Sequence, residues 1–335
     1  MNPPADHPSI PPRRVGVLLI NLGTPDEPET ASVRKYLAEF LSDPRVIEIP
    51  RYVWKPILHG IILRTRPKKS AHAYSQVWTE EGSPLAVITR NQARALQGRW
   101  GDRVTVDWAM RYGNPGIRQA IHKLKDAGCE RILIAPLYPQ YCAATTATAN
   151  DLAFATLATM RWQPAIRTLP PYHDAPEYIA ALKSSIERQL AALDFQPERL
   201  LLSFHGMPER TLRKGDPYHC HCRKTSRLLA EQLSIPTDTA FQSRFGRDKW
   251  LEPATEDVLA AYPTQGVTKI AIAAPGFSAD CIETIEELGI RGKETFVEAG
   301  GTHFARLDCL NDSADGMTML DAIIRHELAG WVEQA

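Results

Sequence analysis

Short apolar runs that end in turns alternate with helical patterns along the chain, and this alternation limits the fold more than any other feature. Strand-like runs cover residues 15–22, 104–110, 131–136, 200–204, 240–242 and 269–274. Helical patterns cover residues 32–41, 89–99, 115–127, 175–193, 223–233, 252–261, 280–288 and 316–332. Continuous apolar runs are typical of strands that are covered on both faces. The alternation therefore predicts an α/β protein with doubly wound parallel sheets.

The two halves of the chain share a pattern, which predicts two similar domains. The run that ends in Gly23-Thr-Pro25 matches the run that ends in Gly206-Met-Pro208, and a second apolar run follows each in the same order. The separation between the two runs is about 45 residues longer in the first half. We predict a domain over residues 15–165 with an insertion at about 45–89, and a domain over residues 166–335 that ends in a helix. Residues 1–14 are rich in proline and are expected to be disordered.

Composition excludes several classes of protein. Lys plus Arg and Asp plus Glu number 39 each in the 335 residues, so nothing indicates a partner nucleic acid. No run approaches the ~18 apolar residues of a membrane span, and the N-terminus lacks the apolar core of a signal peptide. Six cysteines in a chain of this length do not form a disulfide scaffold. These observations predict a cytoplasmic protein.

Three acidic residues follow the apolar run at 269–275. Asp280, Glu283 and Glu287 are spaced so that an α-helix would place all three carboxylates on one face. Like charges that stack in this way weaken a helix, so the pattern indicates either a solvated face or a site that a cation visits. His205 ends a strand-like run of the same half, and open α/β sheets bind ligands at the carboxyl ends of their strands. We therefore expect His205 and the acidic residues to share a crevice.

The insertion is apolar and aromatic between basic residues. Its central part, residues 51–69, carries Arg51, Lys55, Arg64, Arg66, Lys68 and Lys69. This composition is typical of a lid over a flat apolar anion or of a lip that touches a membrane. A helix packed on its own domain is an equally good interpretation.

Several ordered motifs agree in spacing with those of one known family. They are Asn21–Pro25, Arg111-Tyr112, Tyr138-Pro-Gln-Tyr141, Ser203-Phe-His-Gly-Met-Pro208, Phe241-Gln-Ser-Arg-Phe-Gly246, Lys249-Trp-Leu251 and Pro275-Gly-Phe-Ser-Ala-Asp-Cys-Ile-Glu-Thr284. From about Val15 to Leu328 the chain resembles the bacterial type of ferrochelatase. The resemblance implies two Rossmann-like domains with a cleft between them, as in chelatases. It also implies a lyase that inserts ferrous iron into protoporphyrin IX to form protohaem, the terminal step of haem biosynthesis.

The chemistry of that reaction agrees with the residues. A porphyrin loses two pyrrole N–H protons as a divalent metal enters, which requires a base and a route for the cation. The resemblance implies that His205 and Glu283 are catalytic, and that both bind the metal together with Asp280 and Glu287. A neutral imidazole can accept a proton or bind Fe²⁺.

The resemblance also implies a set of residues that bind the porphyrin. Apolar and aromatic walls would be formed by Leu22, Met110, Tyr112, Tyr138 and Trp250. Arginine is suited to carboxylates, so the propionates would be bound by Arg64, Arg66 and Arg111.

The chain departs from some relatives at its cysteines. Some have histidine at the position of Cys281, and some carry a [2Fe–2S] cluster near the C-terminus. Here no cysteine follows Cys309. The tract from His219 to Cys222 contains one C-x-C without a second pair, which is a weak metal signal. We predict no iron–sulfur cluster and no required cofactor.

Other interpretations of the same residues stay open. Cobalt insertion into a tetrapyrrole suits imidazole and carboxylate as well as iron does. A non-enzymatic carrier of haem or metal would not need a base facing its ligand. A metal-dependent hydrolase would need a second histidine at ligand spacing. Porphyrin and ferrous iron are thus the expected partners, with possible contact to a membrane surface, while the sequence leaves open the oligomeric state and the choice of protoporphyrin over coproporphyrin.

Overall fold

A computed structural model describes residues 14–246 and 248–332, and within them two parallel sheets of four strands each form the frame. The first sheet has the order β2-β1-β3-β4 and the second the order β6-β5-β7-β8. The strands are β1 (Arg14–Gly23), β2 (Val104–Tyr112), β3 (Cys129–Pro136), β4 (Ala165–Thr168), β5 (Arg199–His205), β6 (Thr237–Gln242), β7 (Lys269–Ala273) and β8 (His303–Arg306). The repeated order confirms the predicted α/β fold of two similar halves. The expected disorder of residues 1–14 falls outside the described residues, apart from Arg14, which begins β1.

Helices connect the strands. They are α1 (Thr30–Phe40), α2 (Arg51–Ile57), α3 (Leu63–Val77), α4 (Pro84–Trp100), α5 (Ile117–Asp126), α6 (Thr148–Leu157), α7 (Pro176–Ala191), α8 (Glu209–Arg213), α9 (Tyr218–Ala230), α10 (Thr255–Ala261), α11 (Lys293–Glu298) and α12 (Ala314–Glu327). Short 3₁₀ turns occupy Gly101–Arg103 and Pro263–Gln265, and π-helical segments occupy Leu58–Ile62, Ala143–Ala147 and Glu283–Gly292.

Alternate residues of the central strands enter different cores. Val17 and Leu19 of β1 pack into a large cluster, whereas Leu18 and Ile20 pack into a second cluster on the opposite face of the sheet. The large cluster also contains Leu202 of β5 and its neighbours, so one apolar core joins the inner faces of the two sheets. Burial of both strand faces is the reason that these strands are continuous apolar runs.

A glycine ends the central strand region in each half because a neighbouring carbonyl leaves no room for a side chain. A Cβ on Gly23 would lie 2.0 Å from the carbonyl O of Tyr112, the last residue of β2. A Cβ on Gly206 would lie 2.5 Å from the carbonyl O of Gln242, the last residue of β6. The shared Gly-x-Pro pattern therefore reflects the same close approach in both halves.

Several elements differ from the sequence-based expectation. The edge strands β4 and β8 and the helices α6 and α8 were not expected, and β4 lies across the predicted domain limit at residues 165 and 166. The helix expected at 280–288 is instead a π-helix over Glu283–Gly292 that continues into α11. The insertion consists of α2, the π-helical segment Leu58–Ile62 and α3. The domain limits themselves stay a prediction.

Candidate active site

His205 is held at the carboxyl end of β5 with one ring nitrogen unpartnered. Its carbonyl O accepts a hydrogen bond from the buried Tyr218 hydroxyl at 2.9 Å. Its Nδ1 lies 2.7 Å from the carbonyl O of Gly206, a contact that is satisfied when Nδ1 carries the proton. Nε2 then keeps its lone pair, and it makes no hydrogen bond within the described residues. The half-buried ring is thus prepared to accept a proton or to bind a metal at Nε2.

Glu283 and Glu287 lie on the π-helix that follows β7. Burial raises the pKa of Tyr74 and of Cys281 well above their ordinary values, and the nearby charge of Glu283 is the next cause in both. The carboxylate of Glu283 is therefore close enough to Tyr74 of α3 to act on it electrostatically. One Oε of Glu287 accepts a hydrogen bond from Ser243 Oγ at 2.6 Å.

Asp280 has a different environment from the expected one. The π-helix begins after it, so the expectation that all three acids share a helix face is wrong. One carboxylate oxygen accepts from Thr284 Oγ1 at 2.7 Å and from Arg306 Nη1 at 2.8 Å. The other accepts from Cys309 N at 3.2 Å and from Asn311 Nδ2 at 2.6 Å. A carboxylate with these partners is suited to anchoring the loop rather than to binding a metal.

The three arginines predicted to bind propionates have different surroundings. Arg111 donates to Asp43 and to Thr148, and its guanidinium lies over the ring of Tyr112, so it is committed inside the first half. Arg66 lies 5.8 Å from the ring centroid of Phe245 in the second half. Arg64 is exposed on α3 and has no polar partner in the part of the chain that the structure describes.

The predicted apolar walls also divide into two groups. Met110 and Tyr112 are fully buried, and Met110 packs with Ala279 and Cys281 behind the π-helix, so neither side chain reaches an open surface. Leu22 and Tyr138 are half-buried at the ends of β1 and β3. The polar atoms Tyr138 Oη and Trp250 Nε1 are buried without a hydrogen-bond partner in the described residues. Leu22 and Tyr138 are therefore the wall residues that the structure leaves partly exposed, whereas Trp250 is only 7% exposed.

The insertion contacts the second half beside these residues. Ile282, next to Glu283, packs against the cluster formed by α1 and the insertion. Glu48 accepts a hydrogen bond from Lys214 Nζ at 2.5 Å, which joins the start of the insertion to the second half. The outer face of the insertion exposes four apolar side chains, with exposed fractions of 81% for Tyr52, 43% for Val53, 36% for Ile57 and 58% for Ile61.

The tract from His219 to Cys222 does not converge on one point. The ring of His221 stacks on that of His173, with centroids 3.6 Å apart, while His219 lies against Phe241. Cys222 is buried, and Cys220 is exposed. Among residues 14–246 and 248–332, no group of three or more His, Cys, Asp or Glu side chains is arranged to hold a metal ion.

The comparison with known proteins decides the family. The model of the ferrochelatase family matches residues 14–328. The chain belongs to the ferrochelatase family. It is 52% identical to the ferrochelatase of Rhizobium meliloti strain 1021 over 339 residues, which cover 99% of this chain and 100% of the relative. It is 54% identical to the ferrochelatase of Mesorhizobium japonicum over 326 residues, which cover 95% and 92%.

Solved structures of other chelatases share the fold of this ferrochelatase family member. SirB from Bacillus subtilis with Fe³⁺ superposes with a TM-score of 0.58 at 11% identity, over 95% of this chain and 97% of SirB. CbiX, described as the terminal enzyme for biosynthesis of siroheme in denitrifying bacteria, gives 0.50 at 13% identity, over 93% and 98%. At these identities the likeness establishes the fold alone.

Sequence reasoning missed several residues around the ferrochelatase site. Gln242 and Ser243 belong to a motif that was quoted for the family, but their bonds to the π-helix follow only from the fold. Tyr36 and Tyr74 carry no local signal in the sequence, and the nearby charge of Glu283 contributes to the raised pKa of each only once the chain has folded. In the described part of the chain, no helix combines the length and the apolar character needed to cross a membrane.

Proposed function

We propose that the protein inserts ferrous iron into protoporphyrin IX to form protohaem, the last step of haem biosynthesis. Membership of the ferrochelatase family supports this activity. The structural observation that carries it is the unpartnered Nε2 of His205 at the end of β5, with the Glu283 carboxylate after the adjacent strand β7. A base and an acid at neighbouring strand ends match a reaction that removes two protons while a cation enters.

The residues divide the chemistry as follows. Nε2 of His205 accepts a pyrrole proton, and the carboxylate of Glu283 supplies negative charge that favours the incoming cation. Fe²⁺ enters the ring as two N–H protons leave, so protohaem and two protons are the products. Leu22 and Tyr138 form the apolar contacts to the macrocycle, with Arg64 and Arg66 at its carboxylate rim, and the buried Trp250 packs beside Gly206, next to His205. Asp280 holds the loop before the π-helix, and Glu287 lies farther along the helix as an outer contact for the metal.

The experiment combines the purified protein with protoporphyrin IX and Fe²⁺ or Zn²⁺ under anaerobic conditions, without nucleotide, and follows the absorbance of the metalloporphyrin. We expect His205→Ala to lose turnover by about 10²- to 10⁴-fold while it still binds porphyrin. Glu283→Gln keeps the shape but removes the charge, and it is expected to lose most turnover as well. Absence of product with the unaltered protein, or near-normal turnover of His205→Ala, would contradict the proposal.

We place the protein in the cytoplasm, with peripheral contact to a membrane through the insertion. The exposed side chains of Tyr52, Val53, Ile57 and Ile61 support this contact because apolar patches on helices bind membrane interfaces. Co-sedimentation with anionic lipid vesicles tests it, with Ile61→Glu expected to reduce binding. Val297→Glu on α11 is the matched control, since Val297 is also an exposed apolar side chain. Equal binding of both variants would rule out the insertion as the contact.

A further inference from the structure

Gln242 contacts the backbone on both sides of the candidate active site. It ends β6 opposite His205 and is only 3% exposed. Its carbonyl O accepts a hydrogen bond from Gly206 N at 2.7 Å, directly after His205. Its side-chain Nε2 donates to the carbonyl O of Glu283 at 3.0 Å. One residue therefore joins the turn that carries His205 to the start of the π-helix that carries Glu283.

The orientation of the Gln242 amide is fixed by its partners. Oε1 accepts a hydrogen bond from Ser203 Oγ at 3.0 Å, and Ser203 shares a second hydrogen bond with Thr255 Oγ1 at 2.8 Å. All three side chains are buried. The carbonyl of Glu283 can only accept a hydrogen bond, so it requires Nε2 and excludes the flipped amide. The side chain thus has a single arrangement that satisfies every polar atom.

The next residue strengthens the link to the π-helix. Ser243 has a left-handed backbone conformation, with φ of 65°. Its Oγ donates to Glu287, one turn after Glu283. Two consecutive residues at the end of β6 therefore bind the π-helix at its first residue and at its next acidic side chain.

We propose that Gln242 is a positioning residue that sets the separation and orientation of His205 and Glu283. The inference rests on the proposed function, because it assigns no separate activity. Gln242 is buried and acts through its two hydrogen-bonded neighbours. A displacement of about 1 Å in a reacting group can cost about 100-fold in rate. Loss of the amide is therefore expected to affect turnover far more than porphyrin binding.

The test compares Gln242→Met with the matched control Gln92→Met. Gln92 is also fully buried, and its Nε2 donates to the carbonyls of Ser278 and Asn311, but it bonds to neither proposed catalytic residue. Both variants keep the side-chain length and are expected to lower Tm by similar amounts. We expect kcat to fall about 10- to 100-fold in Gln242→Met, with porphyrin Kd changed by less than about twofold. In Gln92→Met we expect kcat to fall by less than about threefold, since the two neutral hydrogen bonds that are lost involve neither His205 nor Glu283.

A double substitution separates positioning from general damage. If Gln242 acts through Glu283, then Gln242→Met added to Glu283→Gln lowers kcat by less than about threefold, because residues that act as a unit are non-additive. Full additivity there, or equal kcat losses in Gln242→Met and Gln92→Met, would overturn the inference. Gln242→Leu, which also removes the bond from the amide to the Glu283 carbonyl, is the second variant should Gln242→Met fail to fold, and an unchanged kcat in it overturns the inference too. If the unaltered protein forms no metalloporphyrin, the result contradicts the proposed function itself rather than the positioning role of Gln242.

Discussion

Replacing Asp280 by asparagine tests whether this carboxylate anchors the fold or binds the metal. The substitution keeps the shape and changes one oxygen into an NH₂ group. In the unaltered protein each carboxylate oxygen of Asp280 accepts two hydrogen bonds. One oxygen accepts from Thr284 and Arg306, and the other accepts from Cys309 and Asn311. Whichever way the amide lies, its NH₂ group faces two donors. The buried pair with Arg306 also loses its negative partner.

The expected loss of stability follows from these contacts. Breaking a buried ion pair by removing one partner costs about 3–5 kcal/mol. The Arg306 side chain is 21% exposed and keeps a hydrogen bond to Asp308, which favours the lower end. A loss of about 3 kcal/mol corresponds to a decrease in Tm of about 4 °C for a protein of 335 residues.

Thermal unfolding and steady-state kinetics with varied metal concentration measure the effect. Asp308→Asn is the matched control, since Asp308 pairs with the same arginine but its side chain is 60% exposed. An exposed pair contributes about 0–1 kcal/mol, so the control should lower Tm by less than about 2 °C. An unchanged Tm for Asp280→Asn together with a raised KM for the metal would refute the anchoring role and restore Asp280 to the metal route.

Three further outcomes follow from the structure. Gly206→Ala should lower both Tm and turnover because its Cβ would lie 2.5 Å from Gln242 O. Gly60→Ala is the control and should change neither, since no atom lies within 4 Å of the added Cβ. Equal effects of the two substitutions would contradict the close approach. Hydrogen exchange in residues 52–63 should be fast without ligand and slower with porphyrin, while α12 stays unchanged; slow exchange that porphyrin does not alter would indicate a plain structural helix. The purified protein should lack visible bands that bleach with dithionite, and stoichiometric iron with acid-labile sulfide would show that the expectation of no cluster is wrong.

The sequence predicted the frame of the fold better than the details of the site. The runs at 200–204 and 269–274 are apolar because both faces of β5 and β7 are buried, and this signal is local. The edge strands β4 and β8 are four residues each and only partly buried, so they lack that signal. A π-helix has nearly the same composition as an α-helix, which explains why the segment after β7 was expected to be an α-helix beginning at Asp280.

Long-range partners account for the remaining differences. Arg111 resembles a free propionate ligand in the sequence, yet Asp43 binds it from 68 positions away. Asp280 is occupied by Arg306, which is 26 positions away, and by Asn311. No local sequence pattern predicts these long-range ion pairs. The two motifs that contain His205 and Glu283 located one residue at the end of β5 and the other in the segment after β7, but the link through Gln242 appears only once β6 is placed beside β5.

Gly23 and Gly206 occupy equivalent positions in the two halves, and they determine which neighbouring positions can carry different side chains. In each half a neighbouring carbonyl forbids any side chain at the glycine, so that position has no freedom to vary. The residue just before it is under no such constraint, and it is Leu22 in one half and His205 in the other. The two similar halves therefore provide two equivalent positions at which the backbone is fixed by the glycine and the preceding side chain can differ. The first half places an apolar side chain before its glycine and the second half places a base, while both glycines keep the same close approach to a neighbouring carbonyl.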